Sequence, residues 1–368
     1  MKLTLKIKLL PTIEQADILL QTMREANVVC DAISDIAWQN KVFNQFKIHH
    51  LCYHSFKSTF NLSAQMLVRC ISKVADAYKL DKKTQRFFRP LGAITYDSRI
   101  LTYKDFSVSI WAIGGRLNIP FICHNSKYLP YIKGEADLVY KKGRFYLFQT
   151  VDIPDEDVDD VEDFIGVDFG LTDIIVTSDG KKHTAETLNN YREQRQRVRS
   201  SIQSKGTKGK THSCKRNCAK LLKRLKGKER TTATIINHTI AKSIVKSAKE
   251  QGKGISIEDL TNIRFTSKRR NKKFRAKLGR WSFAQLRSFI EYKAKLNGVE
   301  FIAVEPAYTS QTCSVCHHIG TRKSKSFKCT NCGNDMDADF NAAKNIATLG
   351  RSINNAEKSS MYCILHSA

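Results

Sequence analysis

Long apolar runs are missing from this sequence. Although 41% of its 368 residues are hydrophobic, no run approaches 18 consecutive apolar residues. A helix needs about 20 such residues to span a bilayer, so we expect no membrane span. The N-terminus, MKLTLKIKLLPT, alternates charged and apolar residues and lacks the continuous apolar segment of a signal peptide. We therefore expect a cytoplasmic location rather than export.

Acidic residues are scarce. The chain has 35 Asp and Glu against 62 Lys and Arg, a net charge of +27. So large an excess indicates a polyanionic partner, most often nucleic acid; a merely basic surface suits a smaller charge better. Two strongly basic segments carry no acid: 201–228 has ten Lys and Arg, and 268–280 has eight among thirteen residues.

The acid-free segments supply the candidate nucleic-acid-binding side chains. Clusters of this kind neutralise phosphates, and the alternative is a solvated helix face. The candidates are Lys205, Lys208, Lys210, Lys215, Arg216, Lys268, Arg269, Arg270, Lys272, Lys273, Arg275, Lys277 and Arg280.

Glycine and proline are absent from residues 13–89. Apolar residues recur there at helical spacing, which predicts three or four helices. Thr12 and Gln15 form a capping-box pattern at the start of the first helix. Residues 2–9 alternate with period two, as in a half-buried strand, and 91–151 are β-rich with turn signals at GG and KKG. Together these two β regions predict a small β-barrel with the helices inserted.

The second half of the chain reads as an α/β domain. Residues 152–163 contain eight acids among twelve residues, which is typical of a solvated linker. After them, apolar strands within 164–180, 252–260 and 298–306 alternate with helical segments. This alternation predicts an α/β layer.

Four of the eleven cysteines are patterned. Without an export signal, metal ligation is a better interpretation of the cysteines than disulfides. Cys313 and Cys316 form one CxxC pair, Cys329 and Cys332 form a second, and twelve residues separate the pairs. Four thiolates give a closed tetrahedral site, so we predict a structural zinc rather than a catalytic one.

Three carboxylates lie within or at the ends of predicted core elements. Asp168 lies in the apolar strand IGVDFG, Glu258 ends the strand ISIE, and Asp339 begins the last helix. A charge in such a strand is costly unless it is paired or binds a cation. Converging carboxylates are the usual ligands of one or two Mg²⁺ ions in phosphodiester cleavage. Taken singly, Asp339 could instead cap its helix.

These motifs resemble those of a known family. IGVDFGLTDIIVTSDG, ISIEDLTNIR, EPAYTSQTCSVC and CTNCGNDMDADFNAAKNI are similar to the RuvC I, RuvC II, zinc-finger and RuvC III motifs of TnpB. TnpB is a transposon-encoded, RNA-guided DNA endonuclease related to the small type V CRISPR effectors. The resemblance covers nearly the whole chain, and residues 20–150 match in layout more than in letters. The tail from Arg351 has no clear role.

The resemblance implies an RNase H-like RuvC domain with an inserted zinc finger, and an N-terminal wedge β-barrel with an inserted helical recognition lobe. It implies catalytic, magnesium-binding roles for Asp168, Glu258 and Asp339. In the family pattern the third acid stands two residues before the Asn of NAA, whereas spacing alone leaves Asp337 open. The expected division is 1–10 and 91–152 barrel, 11–90 recognition lobe, 153–163 acidic linker, 164–306 and 335–350 RuvC, 307–334 zinc finger, and 351–368 tail.

The expected activity is RNA-guided cleavage of double-stranded DNA beside a short adjacent motif, at one RuvC site with two Mg²⁺ ions. The expected partners are a guide RNA from the transposon end and the target DNA. One protein per RNA is expected, with a dimer as the alternative. The location would be cytoplasmic and nucleoid-associated, in a bacterium or archaeon.

Three other functions remain open from the residues alone. A nuclease-inactive RNA-guided repressor is disfavoured because all three acids are intact. A strand-joining transposase would also use three acids. A structural zinc-ribbon nucleic-acid binder leaves Asp168 and Glu258 unexplained.

Overall fold

The computed structural model describes residues 1–158, 160–170, 172–209, 211–260 and 283–366, with side chains through residue 356. The chain forms two compact units, residues 1–154 and 155–368. No helix among these described residues is long and apolar enough to cross a membrane.

The first unit contains an antiparallel sheet of seven strands that is nearly closed. Its order is β2-β6-β7-β1-β5-β4-β3, so the N-terminal strand lies in the middle. The strands are β1 (Lys2–Leu9), β2 (Ile94–Tyr96), β3 (Leu101–Lys104), β4 (Ser107–Ala112), β5 (Gly115–Cys123), β6 (Ile132–Lys141) and β7 (Arg144–Asp152), with a 3₁₀ helix at Ser126–Tyr131. In β1 the side chains of Leu5, Ile7 and Leu9 are buried, as the period-two pattern predicts.

Three helices follow β1 in the chain: α1 (Ile13–Gln39), α2 (Gln45–Thr59) and α3 (Ala64–Leu80). The predicted capping box is confirmed, because Thr12 Oγ1 accepts from the backbone N–H of Gln15 and the Gln15 side chain accepts from the N–H of Thr12. Asn44 and Ser63 cap the other two helices in a similar way. Each helix thus begins at a side chain that satisfies otherwise unpaired N–H groups.

The second unit is built on a five-stranded mixed sheet with the order β10-β9-β8-β11-β12. Its strands are β8 (Phe164–Phe169), β9 (Asp173–Thr177), β10 (Lys182–Thr184), β11 (Gly254–Glu258) and β12 (Phe301–Val304). β8, β11 and β12 are parallel, whereas β9 and β10 continue from β8 as antiparallel strands. The predicted α/β layer is therefore present.

The described residues of this unit form five helices: α4 (Glu186–Lys208), α5 (His212–Leu225), α6 (Lys228–Glu250), α7 (Phe283–Lys295) and α8 (Ala338–His366). α6 and α7 share an apolar cluster with alternate residues of β8 and β11, including Val167 and Ile257. α8 packs on the other residues of these strands through Ile346 and Phe164. Its approach requires Gly166, because a Cβ there would stand 1.9 Å from the backbone oxygen of Ala343.

A small antiparallel sheet separates β12 from α8. It consists of β13 (Thr321–Lys323), β14 (Ser326–Lys328) and β15 (Asp335–Asp337), with β14 in the centre. The acidic segment before β8 makes ion pairs with the helices of its own unit. These pairs are Asp155–Lys295, Glu156–Lys249 and Asp163–Arg351.

Candidate active site and metal centre

Asp168 and Glu258 lie side by side on neighbouring parallel strands. β8 pairs with β11 in the register Val167 with Ile257, so the next residues on the two strands are the two acids. Side chains alternate along a strand, and Gly166 and Ser256 both contact α8. Asp168 and Glu258 therefore face the α8 side of the sheet, at the carboxyl ends of their strands.

Asp339 enters from the first turn of α8. Asp339 is 8% exposed, and its exposure is similar to that of Asp168 (8%) and Glu258 (7%). The charges of Glu258 and Asp339 both act on Asp168. The structure thus brings together the three acids that the sequence singles out from positions 90 and 81 residues apart.

Asp337 and Asp339 have different partners, which separates two acids that spacing leaves equivalent. Asp337 Oδ1 accepts from the backbone N–H groups of Asp339 and Phe340, both at 3.0 Å, so Asp337 caps the helix. It also pairs with Lys182 at 2.8 Å. Asp339 Oδ1 instead accepts from Arg322 Nη2 at 2.7 Å. The capping role considered for Asp339 therefore belongs to Asp337.

Burial makes ionisation unfavourable in this cluster. It raises the pKa of Asp168 well above the usual value, and the charges of Glu258 and Asp339 raise it further. Burial also raises the pKa of Glu258, against a hydrogen bond from Thr309 and the positive charge of Arg322. Among the described residues no hydrogen bond or ion pair is found to the Asp168 carboxylate. A cation bound there would relieve the cost of its charge.

The patterns in the sequence do not identify Thr309 and Arg322 as parts of the site. Thr309 Oγ1 donates to Glu258 Oε1, and Asn345 of α8 donates to the backbone oxygen of Thr309 at 2.8 Å. Arg322 lies on β13 of the small sheet and pairs with Asp339. Thr309 lies 51 residues from Glu258 and Arg322 lies 17 residues from Asp339, so only the fold identifies these contacts.

Lys325 joins three elements at the edge of the acid cluster. It lies in the turn between β13 and β14, and its backbone oxygen accepts from the N–H of Ala338, the first residue of α8, at 2.7 Å. Its Nζ donates to the buried carboxylate of Asp173 on β9. This hydrogen bond raises the pKa of Lys325. One residue therefore attaches the hairpin both to the main sheet and to the helix that carries Asp339.

The four predicted zinc ligands come together. The Sγ atoms of Cys313, Cys316, Cys329 and Cys332 all lie within 4.8 Å of one another. Sγ of Cys313 is 3.6 Å from Sγ of Cys332, and Sγ of Cys316 is 3.5 Å from Sγ of Cys329. With a Zn–S distance of about 2.3 Å, tetrahedral geometry requires S···S distances of about 3.8 Å. The cluster therefore fits a zinc ion.

Hydrogen-bond donors surround these sulfurs, as they do around zinc-bound thiolates. The N–H of Val315 and Nδ2 of Asn334 lie 3.4 and 3.5 Å from Cys313 Sγ. The backbone of His318, followed by the side chain of Asn331, lowers the pKa of Cys316 to about 6. At Cys332 a hydrogen bond from the backbone of Asn334 is outweighed by the neighbouring sulfurs and burial, which raise the pKa of that thiol. A lowered thiol pKa favours the thiolate that binds metal.

Two buried asparagines of α8 connect the cysteine cluster to the acid cluster. Asn341 Oδ1 accepts from the N–H of Ser314 at 3.0 Å, and its Nδ2 donates to the oxygen of Thr312 at 2.7 Å. Asn345 donates to the same oxygen at 2.7 Å. The first cysteine knuckle is therefore bonded directly to the helix that presents Asp339.

Comparison with known proteins identifies relatives of the chain. A family model described as the Cas12f1-like TNB domain matches residues 283–346, which include the four cysteines, Arg322 and Asp339. A TnpB-like protein of Methanocaldococcus jannaschii is 32% identical over 43% of this chain and 54% of its own length. The CRISPR-associated endodeoxyribonuclease Cas12f1 of Sulfoacidibacillus thermotolerans is 34% identical over 56% of this chain and 50% of its own.

The chain is thus similar to TnpB-like and Cas12f proteins. The resemblance expected from the motifs is confirmed at this level. The chain spans about half the length of these curated relatives. A cryo-EM structure of a Cas12f1–sgRNA–target DNA complex aligns over 94% of this chain and 99% of that chain, with 17% identity and a TM-score of 0.41.

The predicted nucleic-acid-binding residues are only partly described. Lys205 and Lys208 are exposed at the end of α4, and Lys215 and Arg216 are exposed on α5. Their role in nucleic-acid binding stays a prediction. Lys210 and the eight basic residues of 268–280 lie outside the described residues.

Proposed function

We propose that this protein is an RNA-guided DNA endonuclease with an RNase H-like RuvC domain. The order β10-β9-β8-β11-β12 supports the fold, with an antiparallel β8–β10 meander followed by two strands parallel to β8. The position of the acids supports the activity, because active sites of open α/β sheets lie at the carboxyl ends of parallel strands. The relatives include a TnpB-like protein and a Cas12f1 endodeoxyribonuclease.

The convergence of three buried acids carries this proposal. Asp168, Glu258 and Asp339 come from three separate elements, and burial with mutual repulsion raises the pKa of Asp168. Asp168 does not stabilise the fold by its charge, since a buried carboxylate without a partner among the described residues destabilises the folded state. Carboxylate oxygens are the preferred protein ligands of Mg²⁺.

Asp168, Glu258 and Asp339 would hold two Mg²⁺ ions, which when bound activate water and stabilise the leaving oxygen of a phosphodiester. Thr309 holds one oxygen of Glu258 by donating to it. Arg322 fixes the orientation of Asp339 and places a guanidinium at the site, which suits phosphate as well as carboxylate. The low exposure of the acids limits competing water.

Recognition of the target would combine an RNA guide with the basic surface. Base pairing between guide and DNA reads the sequence in RNA-guided nucleases, while the protein reads an adjacent motif and the backbone. A net charge of +27 suits both polyanions. We propose that the guide is encoded at a transposon end, and that one RuvC site cuts both DNA strands in turn.

The test is cleavage by the protein co-purified with RNA transcribed from its flanking DNA. The substrate is a matching duplex with a randomised adjacent sequence, incubated with Mg²⁺. We expect cleavage by the unmodified protein and by Asp335→Ala, an exposed acid on β15, and none by Asp168→Ala. No cleavage by the unmodified protein with any adjacent sequence would refute the proposed function. DNA binding without cleavage would favour the repressor alternative.

A further inference from the structure

Tyr308 is an aromatic residue that protrudes into solvent beside the acid cluster. It is 66% exposed, whereas the next residue, Thr309, is 4% exposed and donates to Glu258. Consecutive Cα atoms are about 3.8 Å apart. The exposed side chain of Tyr308 is therefore attached to the chain directly before the residue that donates to Glu258.

The backbone at Tyr308 is held in an uncommon conformation. Its φ is 60°, in the left-handed region that a bulky residue rarely adopts. Its backbone oxygen accepts from the N–H of Gln311 at 2.9 Å and from the N–H and Oγ1 of Thr312, both at 3.0 Å. These bonds fix the loop. Strain of this kind at an active site suggests a function for the residue.

The ring has no stacking partner in the part of the chain that the structure describes, where no aromatic pair or cation–π contact involves Tyr308. A glycine at this position would adopt the same φ without strain. Packing within the protein therefore does not account for a tyrosine here. A rigid, exposed ring beside a nuclease site is the arrangement that stacks on an unpaired base.

We propose that Tyr308 stacks on a nucleobase of the single-stranded DNA that enters the acid cluster. The inference rests on the proposed nuclease function of that site. Every base has a π-face, so the contact selects single strands without selecting sequence. The fixed backbone lowers the entropy lost when the ring is immobilised.

Two variants separate the ring from the backbone. Tyr308→Gly removes the ring and keeps the φ, whereas Tyr308→Phe keeps the ring and removes only the hydroxyl. Both are made in the full chain carrying Asp168→Ala, and affinity for a short single-stranded oligonucleotide is measured across salt concentrations. We expect Tyr308→Gly to weaken binding roughly tenfold and Tyr308→Phe to change it little. The salt slope should not change, because no phosphate contact is lost.

Photocrosslinking identifies the contact directly. A single-stranded oligonucleotide carrying 5-iodouracil is irradiated with the protein, and the linked peptide is identified by mass spectrometry. We expect a link at Tyr308. Absence of that link, or equal affinity of the Gly and Phe variants, would overturn the inference. If Tyr308→Gly lowers the melting temperature or the zinc content, Tyr308→Asn replaces it, because Asn also tolerates the left-handed region.

The outcomes distinguish this inference from the proposed function. Base stacking in a protein that never cleaves DNA would refute the proposed function alone. Cleavage by the unmodified protein, with binding insensitive to loss of the Tyr308 ring, would refute the inference alone.

Discussion

Replacing Asp168 with Asn should stabilise the metal-free protein. Asp168 is 8% exposed, and the charges of Glu258 and Asp339 act on its carboxyl group. Asn has nearly the same shape but carries no charge, so the variant removes both the desolvation cost and the repulsion. An acid at a position where it destabilises the fold serves another purpose, which we propose is metal binding.

The sign of the pH dependence follows from the raised pKa. Unfolded Asp168 loses its proton near pH 3.9, whereas the folded state keeps it to higher pH, so stability falls as the pH rises between the two pKa values. Above both, each unit of pKa difference corresponds to about 1.4 kcal/mol. For a domain of roughly 200 residues the melting temperature changes by about 2–4 °C per kcal/mol, so a pKa difference of one corresponds to about 3–6 °C.

The assay is thermal unfolding of the full chain in chelator-treated buffer with its zinc intact, from pH 4 to pH 8. The Asp168→Asn variant should match the unmodified protein near pH 4 and exceed its melting temperature increasingly toward pH 8. Mg²⁺ should stabilise the unmodified protein by about 2.7 kcal/mol at 100 times its dissociation constant, and the variant by less. Asp335→Asn is the control and should show neither effect. A less stable Asp168→Asn variant at pH 8, or a difference independent of pH, would refute the reasoning.

Three further predictions follow from other contacts. Lys325→Asp breaks the contact with Asp173, so it should lower DNA cleavage and increase hydrogen exchange in the β13–β14 hairpin. Adding Asp173→Lys should partly restore both properties. If neither is restored, the contact is not the cause. Cys329→Ser should release zinc in a colorimetric chelator assay and lower the melting temperature, because structural zinc contributes to folding, whereas Cys218→Ser on α5 should do neither. Burial of Asp179 is outweighed by hydrogen bonds to its carboxylate, which lower its pKa to about 2. The Asp179→Asn variant should therefore be less stable than the unmodified protein at pH 7, and the two stabilities should converge as the pH falls through about 2. Equal stability at pH 7 would contradict this.

Local patterns predicted local structure well. The period-two alternation of residues 2–9 predicts β1, because one face of that strand is buried. The capping box at Thr12 and the two CxxC pairs were also predictable. The two residues of the capping box, and the two cysteines of each pair, lie within a few residues of one another. These features depend on spacing along the chain alone.

Contacts across the fold were not predictable in the same way. The pairing of Arg322 with Asp339 depends on how the small sheet packs on α8, and that of Lys325 with Asp173 joins residues 152 apart. The spacing of the acids does not show whether Asp337 or Asp339 caps the helix. The hydrogen bonds from the backbone N–H groups of Asp339 and Phe340 assign the cap to Asp337. Convergence of the acids was an expectation that the register of β8 and β11 supports.

The most direct test of the account is to locate the metal that the acids bind. Crystals of the zinc-loaded protein would be soaked in Mn²⁺ as a substitute for Mg²⁺, and anomalous scattering would be recorded above and below the zinc edge. We expect manganese at about 2.0–2.3 Å from oxygens of Asp168, Glu258 and Asp339, with zinc confined to the four cysteines. At saturating Mn²⁺, an acid cluster without metal beside a filled zinc site would contradict it.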